Sequence, residues 1–196
     1  MKHPEIEQDR KCMMRAVPLL LMFLAAAGCN IIPNRNPTGE PFPTVTARTL
    51  DGARVELPDS FAGQVVILIV LYDKSAQFDA DRWMLGLLQV KVDAPIREVL
   101  TVPSTIGFLL SPLVTDEMKK SFPTSNWGTI LTLYGNDADP VATMTGMVDS
   151  RFARVFLLSP DGRVAWFADA GYEGKLVLRL MEEINHVRRG YEGAAF

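Results

Sequence analysis

The feature that most constrains the fold is an unbroken apolar run, VVILIVL at positions 65–71. Five of its seven residues are β-branched, which favours a strand over a helix. Because no polar residue interrupts the run, we expect both faces of this strand to be covered, as in the centre of a parallel or mixed sheet. The polar turn that follows, YDKSAQF at positions 72–78, contains no cysteine, no histidine and no glycine-rich loop.

The sequence around this strand predicts an α/β domain over positions 44–187, followed by a tail over 188–196. TVTARTLDGARVEL alternates apolar and polar residues around Asp51-Gly52, which predicts an N-terminal β-hairpin. A second hairpin is predicted where SPDG joins RVFLL to VAWF. Further strands are expected at 96–102 and 129–134, and helices at 113–122 and at about 173–187. Another helix is expected after the first apolar strand, with an apolar face formed by Ala80, Trp83, Met84, Leu87 and Leu88. This order requires a mixed sheet with helices on both faces.

The first 29 residues have the pattern of an export signal. Basic residues precede a short apolar stretch, AVPLLLMFLAAA, which is shorter than the roughly 20 residues of a membrane-spanning helix. The following AAGC resembles the lipobox of bacterial lipoproteins, and this resemblance implies that Cys29 carries lipid and that residues 1–28 are removed. The alternatives are an uncleaved signal anchor and an ordinary secretory signal in which Cys29 has no special role.

Proline at positions 33, 37, 41 and 43 disfavours helix and sheet after Cys29. We therefore expect residues 29–43 to form an extended tether that holds the domain away from the membrane. The signal and the tether together predict a bacterial cell-envelope lipoprotein, anchored to a membrane through its lipid, with the domain facing the periplasm or the exterior.

Composition restricts the chemistry of the exported part. The two cysteines are Cys12 and Cys29, so removal of the signal and lipidation would leave no thiol for redox catalysis or metal binding. A net charge of −3 predicts no broad basic surface for nucleic acid. His186 is the one histidine after the signal, so we expect no zinc site, no catalytic triad and no cofactor. The loop GNDADP offers oxygen ligands for calcium, but a turn stabilised by its own side chains is the preferred interpretation.

Several residues near the turns are candidates for particular roles. Ser75 is expected to cap the following helix by accepting a backbone N–H. Asp73 and Asp79 flank it and are expected to be solvated. Tyr72 and Trp127, the latter in the loop PTSNWG, are the candidate contact residues. A small-ligand groove near these two aromatic residues is one further interpretation.

The order of elements and the phrase RVFLLSPDGRVAW resemble the thioredoxin-like fold over roughly residues 42–183. When GQVVILIVLYDKSAQF is aligned with the strand and Cys-x-x-Cys turn of redox members, Ser75 stands at the first cysteine position and Phe78 at the second. Redox members also have a cis-proline just before the strand that starts here at Arg154, where this chain has DSRFAR. The resemblance therefore implies a thioredoxin-like mixed sheet, flanked by helices, that lacks the redox pair.

The stretch TGMVDSRFARVFLLSPDGRVAWFADAG, together with Trp83, is similar to the Atp10-like proteins, a branch of this fold that also lacks the cysteine pair. Mitochondrial members assist assembly of the membrane sector of ATP synthase. The resemblance implies a non-catalytic interaction or assembly module, chaperone-like toward a membrane complex, with an envelope protein as partner. The alternative is a thioredoxin- or peroxiredoxin-like oxidoreductase whose thiol is lost or is supplied by a partner.

Overall fold

The computed structural model describes residues 32–102 and 115–194. The predicted signal, Cys29 and residues 30–31 of the predicted tether lie outside these ranges. Residues from Ile32 onward form one compact unit around a single mixed sheet.

Seven strands form this sheet: β1 (Val45–Thr49), β2 (Arg54–Leu57), β3 (Val66–Leu71), β4 (Ile96–Val102), β5 (Ile130–Tyr134), β6 (Arg154–Leu158) and β7 (Val164–Ala168). Their order is β2-β1-β5-β4-β3-β6-β7. Strands β3, β4 and β5 are parallel, and each edge is completed by an antiparallel hairpin, β1–β2 on one side and β6–β7 on the other. Both predicted hairpins are therefore confirmed.

The helices are α1 (Gln77–Gln89), α2 (residues 115–121), α3 (Asp139–Thr145) and α4 (Gly174–Ala194). Side chains of α1 and α4 share one apolar cluster with the sheet, and side chains of α3 belong to a cluster on the opposite face. Within the described ranges, no helix combines the length and apolarity needed to cross a bilayer.

Strand β3 is buried on both faces, as its apolar sequence predicts. All six of its residues are buried. Its even-numbered residues join a cluster with Val141 and Met144 of α3, and its odd-numbered residues join a cluster with Trp83 of α1 and Leu180 of α4. Because successive side chains of a strand point to opposite faces, an unbroken apolar run suits only a strand that is covered on both sides.

Some element boundaries differ from the predictions. The loop GNDADP forms a short 3-10 turn and then begins α3, since Pro140 in the first turn of a helix needs no N–H partner. Helix α4 continues to Ala194 instead of ending near Val187, so most of the predicted tail is helical. Leu88, expected on the buried face of α1, has 60% of its surface exposed.

The N-terminal strap, residues 32–43, packs against the domain, so this part does not form the extended spacer that was expected to hold the domain away from the membrane. At its start, Ile32 O accepts a hydrogen bond from Met147 N at 2.9 Å. At its end, Phe42 N donates to Gly162 O at 3.0 Å, and the buried Phe42 ring meets Phe156 edge-on at 5.4 Å between ring centres. The prolines do exclude helix, but the extended chain they favour finds hydrogen-bond partners on the domain surface.

Candidate functional site

The polar turn after β3 lies beside two other loops at one end of the domain. Residues 72–78 form this turn, residues 146–153 precede β6, and residues 169–172 follow β7. We call these three loops the turn end of the domain. Asp79, the third residue of α1, connects them, because its side chain accepts hydrogen bonds from both of the other loops.

The turn itself begins with a capping carboxylate. Asp73 has extended backbone geometry, and its Oδ1 accepts a hydrogen bond from Ser75 N at 2.7 Å, which starts the 3-10 turn Lys74–Ala76. Hydrogen bonds from Ser75 lower the pKa of Asp73, so the carboxylate is charged at a helix start, where negative charge is favourable. The prediction that Ser75 is the cap is wrong. Ser75 is a donor to the capping carboxylate and not the cap itself, and its side chain is exposed.

Asp79 is buried in the first turn of α1, with 5% of its surface exposed. Its Oδ2 accepts a hydrogen bond from Ala153 N at 3.0 Å, and its Oδ1 accepts one from Tyr172 N at 2.7 Å. The prediction of a solvated carboxylate is therefore wrong. Two backbone N–H groups replace water as donors, which allows the charged group to leave solvent.

Arg154, the first residue of β6, is fully buried. Its Nη1 donates to Phe152 O at 2.7 Å and to Asp149 O at 3.1 Å. Its Nη2 donates to Val148 O at 2.9 Å and to Asn34 Oδ1 at 3.3 Å. The guanidinium thus fixes the loop before β6 and the start of the strap together. The sequence analysis missed this residue, because an arginine at the end of a strand is usually solvated.

Tyr72 and Trp127 lie at opposite ends of the parallel strands. Tyr72 follows the carboxyl end of β3, whereas Trp127 precedes the amino end of β5. The Tyr72 hydroxyl lies 2.7 Å from Thr145 Oγ1, and burial raises the pKa of this tyrosine. Trp127 is half-buried, and its Nε1 donates to Phe122 O at 3.1 Å. The interpretation of a single groove near both residues is wrong.

A separate groove, with a volume of about 590 Å³, lies beside α1. Its walls include Met84, Ile96 and Ile130. Glu98 also lines it, yet only 8% of this residue is exposed, and Gln77 Nε2 donates to its Oε1 at 3.1 Å. Burial raises the pKa of Glu98. The sequence analysis did not single out this carboxyl group, because a glutamate within a strand is normally placed on the solvent side.

Comparison with models of protein families gave no match, and a search of curated proteins found no relative. Solved structures do match. Yeast Sco1 with copper bound is 17% identical, with a TM-score of 0.54 over 77% of this chain and 94% of that one. BsSco, of the Sco family of cytochrome c oxidase assembly proteins, is 13% identical, with a TM-score of 0.51 over 77% and 96%. A candidate protein disulfide isomerase from Bacteroides thetaiotaomicron is 18% identical, with a TM-score of 0.53 over 81% and 95%. The domain has a thioredoxin-like fold.

The predicted fold class, a thioredoxin-like mixed sheet flanked by helices, is thereby confirmed. Redox members were expected to have a cis-proline just before β6. This chain has Ala153 there, and Leu57–Pro58 is the one cis peptide within the described residues. Ser75 and Phe78 both have exposed side chains on the turn after β3, Phe78 with 73% of its surface. That these two residues occupy the two cysteine positions stays a prediction.

The donor groups of the turn end do not fit the copper ion bound in the yeast Sco1 structure. Copper(I) prefers thiolate and imidazole ligands. The described residues contain no cysteine, and their one histidine, His186, lies on α4, twelve residues beyond its first residue. No group of three His, Cys, Asp or Glu side chains suitable for a metal occurs within residues 32–102 and 115–194. In the loop considered for calcium, Asp137 Oδ1 instead accepts a hydrogen bond from Thr46 N at 3.0 Å.

Proposed function

We propose that this protein is a membrane-anchored thioredoxin-like lipoprotein of the cell envelope that acts as a non-catalytic interaction or assembly module. The observation that carries the proposal is the chemistry of the turn end. Thiol–disulfide and peroxide chemistry need a thiolate, and this turn offers the hydroxyl of Ser75 and the phenyl ring of Phe78. The loops around it are nevertheless held by two buried charged residues, Asp79 and Arg154. An ordered surface without a reactive group suits binding.

A chaperone-like role toward a membrane complex is the more specific form of this proposal. The resemblance to Atp10-like proteins supports it, and so does the match to BsSco, whose family is described as cytochrome c oxidase assembly proteins. In this form of the proposal, lipid on Cys29 keeps the domain at the membrane, where an envelope membrane protein is its partner.

Two measurements on the full-length protein test the non-catalytic role. Insulin reduction and peroxide turnover should stay at the background rate, because no thiol is available. Chemical crosslinking in envelope membranes, followed by purification through a C-terminal tag, should recover a discrete membrane-protein partner. Turnover above background would contradict the proposal and favour the alternative, an oxidoreductase that receives its thiol from a partner.

The anchor is tested separately with Cys29→Ser. Removing the sulfur removes the only attachment point for the lipid, so the protein should move from the membrane fraction to the soluble fraction. Cys12→Ser is the matched control and should leave the fractionation unchanged, since position 12 lies in the removed signal. Membrane association of a Cys29→Ser protein from which residues 1–28 have been cut, as its intact mass shows, would contradict lipidation.

A further inference from the structure

We propose that the turn end of the domain rests on the bilayer that holds the lipid of Cys29, with Phe78 and Val148 in the headgroup layer. This inference rests on the proposed function, because it needs an anchor at Cys29. It goes further by naming the surface of the domain that meets the membrane. It also replaces the expected picture of a domain that a tether lifts away from the bilayer.

Only a short length of chain separates the lipid anchor from the first residue that packs on the domain. Three peptide steps separate Cys29 from Ile32, so their Cα atoms are at most about 11 Å apart. The free tether predicted from the sequence, residues 29–43, would have allowed several times that distance. Because residues from Ile32 onward pack on the domain, the lipid is confined to the region where the strap begins.

The strap begins at the turn end. Ile32 O accepts the hydrogen bond from Met147 N, in the loop before β6. The next residue, Pro33, lies so close to Gly146 that an added Cβ there would overlap Pro33 O. The following residue, Asn34, accepts a hydrogen bond from the buried Arg154. Three consecutive residues of the strap are therefore fixed to the loop that includes Val148.

The turn end presents exposed apolar side chains of the kind that enter a headgroup layer. Phe78 has 73% of its surface exposed, and Val148 has 43%. Both residues are held in place by buried side chains. Arg154 donates a hydrogen bond to Val148 O. Asp79, which follows Phe78 in the sequence, accepts two backbone hydrogen bonds. Arg82 places its guanidinium 5.9 Å from the Phe78 ring centre, a cation beside an aromatic ring, which suits the boundary between headgroups and acyl chains.

Charges at this surface nearly cancel. Arg151 forms an ion pair with Asp149, with Nε and Oδ1 2.7 Å apart. The other charged residues of the turn end and its flanks are Lys74 and Arg82 against Asp73, Asp81 and Asp169, while the buried Asp79 and Arg154 are opposite in sign. We therefore expect apolar contact, rather than attraction to anionic lipid, to hold the turn end on the bilayer, and the contact to form equally on neutral and anionic membranes.

A fluorescence-quenching experiment on the full-length lipoprotein tests this orientation. Lipidation blocks the thiol of Cys29 and processing removes Cys12, so a bimane label reacts with one introduced cysteine. Ser75→Cys places the label at the turn end, and Ser125→Cys places it on an exposed turn at the opposite end of the sheet. In phosphatidylcholine vesicles containing doxyl-labelled lipid, we expect at least threefold stronger quenching for Ser75→Cys than for Ser125→Cys.

Two further variants test the role of Phe78 in the labelled Ser75→Cys protein. Phe78→Asp should reduce quenching to the level of Ser125→Cys, because a charged side chain replaces the ring at the membrane contact. Leu88→Asp is the matched control. It lies on the same helix with 60% of its surface exposed, about 15 Å further along the axis, and should leave quenching unchanged. Circular dichroism checks that each variant is folded. If Phe78→Asp does not fold, Val148→Asp replaces it, and the same loss of quenching is expected.

The possible outcomes distinguish a missing membrane anchor from a wrong orientation of the domain. Failure of the protein to float with vesicles would overturn the anchor, and the orientation with it. Flotation with equal quenching at the two label positions would overturn the orientation alone. Quenching that appears only when the vesicles contain phosphatidylglycerol would overturn the apolar contact.

Discussion

Asp79 and Arg154 bind opposite ends of the same peptide group. Asp79 Oδ2 accepts a hydrogen bond from Ala153 N at 3.0 Å, and Arg154 Nη1 donates to Phe152 O at 2.7 Å. Both side chains are buried, and both hydrogen bonds have a charged partner, which makes them stronger than bonds between neutral groups. The peptide before β6, where redox members of the fold were expected to have a cis-proline, is thus fixed by a carboxylate and a guanidinium.

The carboxylate half of this arrangement is tested by Asp79→Asn. The amide can accept only one of the two backbone hydrogen bonds and places an unpaired NH₂ in a buried position. We expect the free energy of unfolding to fall by about 1–3 kcal/mol in urea denaturation. Asp81→Asn, two residues along α1 and exposed, is the control and should cost less than about 0.5 kcal/mol. Equal losses for the two variants would contradict a special role for Asp79.

The guanidinium half is tested by Arg154→Met, which keeps the apolar stem and removes every donor. Three carbonyl oxygens of residues 148–152 would lose a partner, so we expect a loss of about 3 kcal/mol in the free energy of unfolding. Amide hydrogen exchange across residues 147–152 should accelerate more than exchange in β3. The control is Arg151→Met, in the same loop with an exposed side chain. Unchanged loop exchange in Arg154→Met would show that packing alone fixes the loop.

Glu98 makes the folded protein less stable as the pH rises, whereas a carboxylate in an ion pair makes a protein more stable as the pH rises. Burial raises its pKa, so the folded protein binds this proton more tightly than the unfolded chain does. The resulting stabilisation is complete below the unfolded pKa, near 4.5, and is lost as the pH rises through the folded pKa. Glu98→Gln should therefore raise the urea midpoint at pH 7, and this advantage should vanish as the pH falls below 4.5. Glu182→Gln, on the exposed side of α4, is the matched control for the change of side chain.

The alignment of the turn with a redox turn is tested by Ser75→Cys combined with Phe78→Cys. Position 75 lies near the amino end of a continuous helical segment, residues 74–89, where the helix dipole lowers the pKa of a thiol below its usual value of about 8.5. We expect the double variant to reduce insulin above the background of the unaltered protein. The single variant Ser75→Cys lacks the second thiol, so we expect it to reduce insulin no faster than the unaltered protein does. An inactive but folded double variant would show that the two positions do not match a Cys-x-x-Cys turn.

Local patterns in the sequence predicted most of the architecture. The apolar run of β3, the turn chemistry of Asp51-Gly52 and SPDG, and the helical spacing around Trp83 are each signals between neighbouring residues. Each element was confirmed, although Leu88 of the helix is exposed. A pattern of this kind depends only on backbone preference and on whether one face or both faces are buried. The predicted absence of a thiol rests on the positions of Cys12 and Cys29 together with the predicted signal and lipidation, and it stays a prediction.

The tertiary structure alone decided which charged residues are buried and where the strap lies. Asp79 is buried because its hydrogen-bond donors come from residues 153 and 172, and Arg154 reaches an acceptor in Asn34, 120 positions away. Hydrogen-bond partners so distant in sequence leave no local pattern in the sequence. Asp79 was therefore expected to be solvated, as a carboxylate beside a turn usually is. The strap appeared to be a free tether, since its prolines show only that it is extended. Its attachment depends on carbonyl and amide groups that α3, the loop before β6, the turn after β6 and β7 bring to one surface in the folded domain.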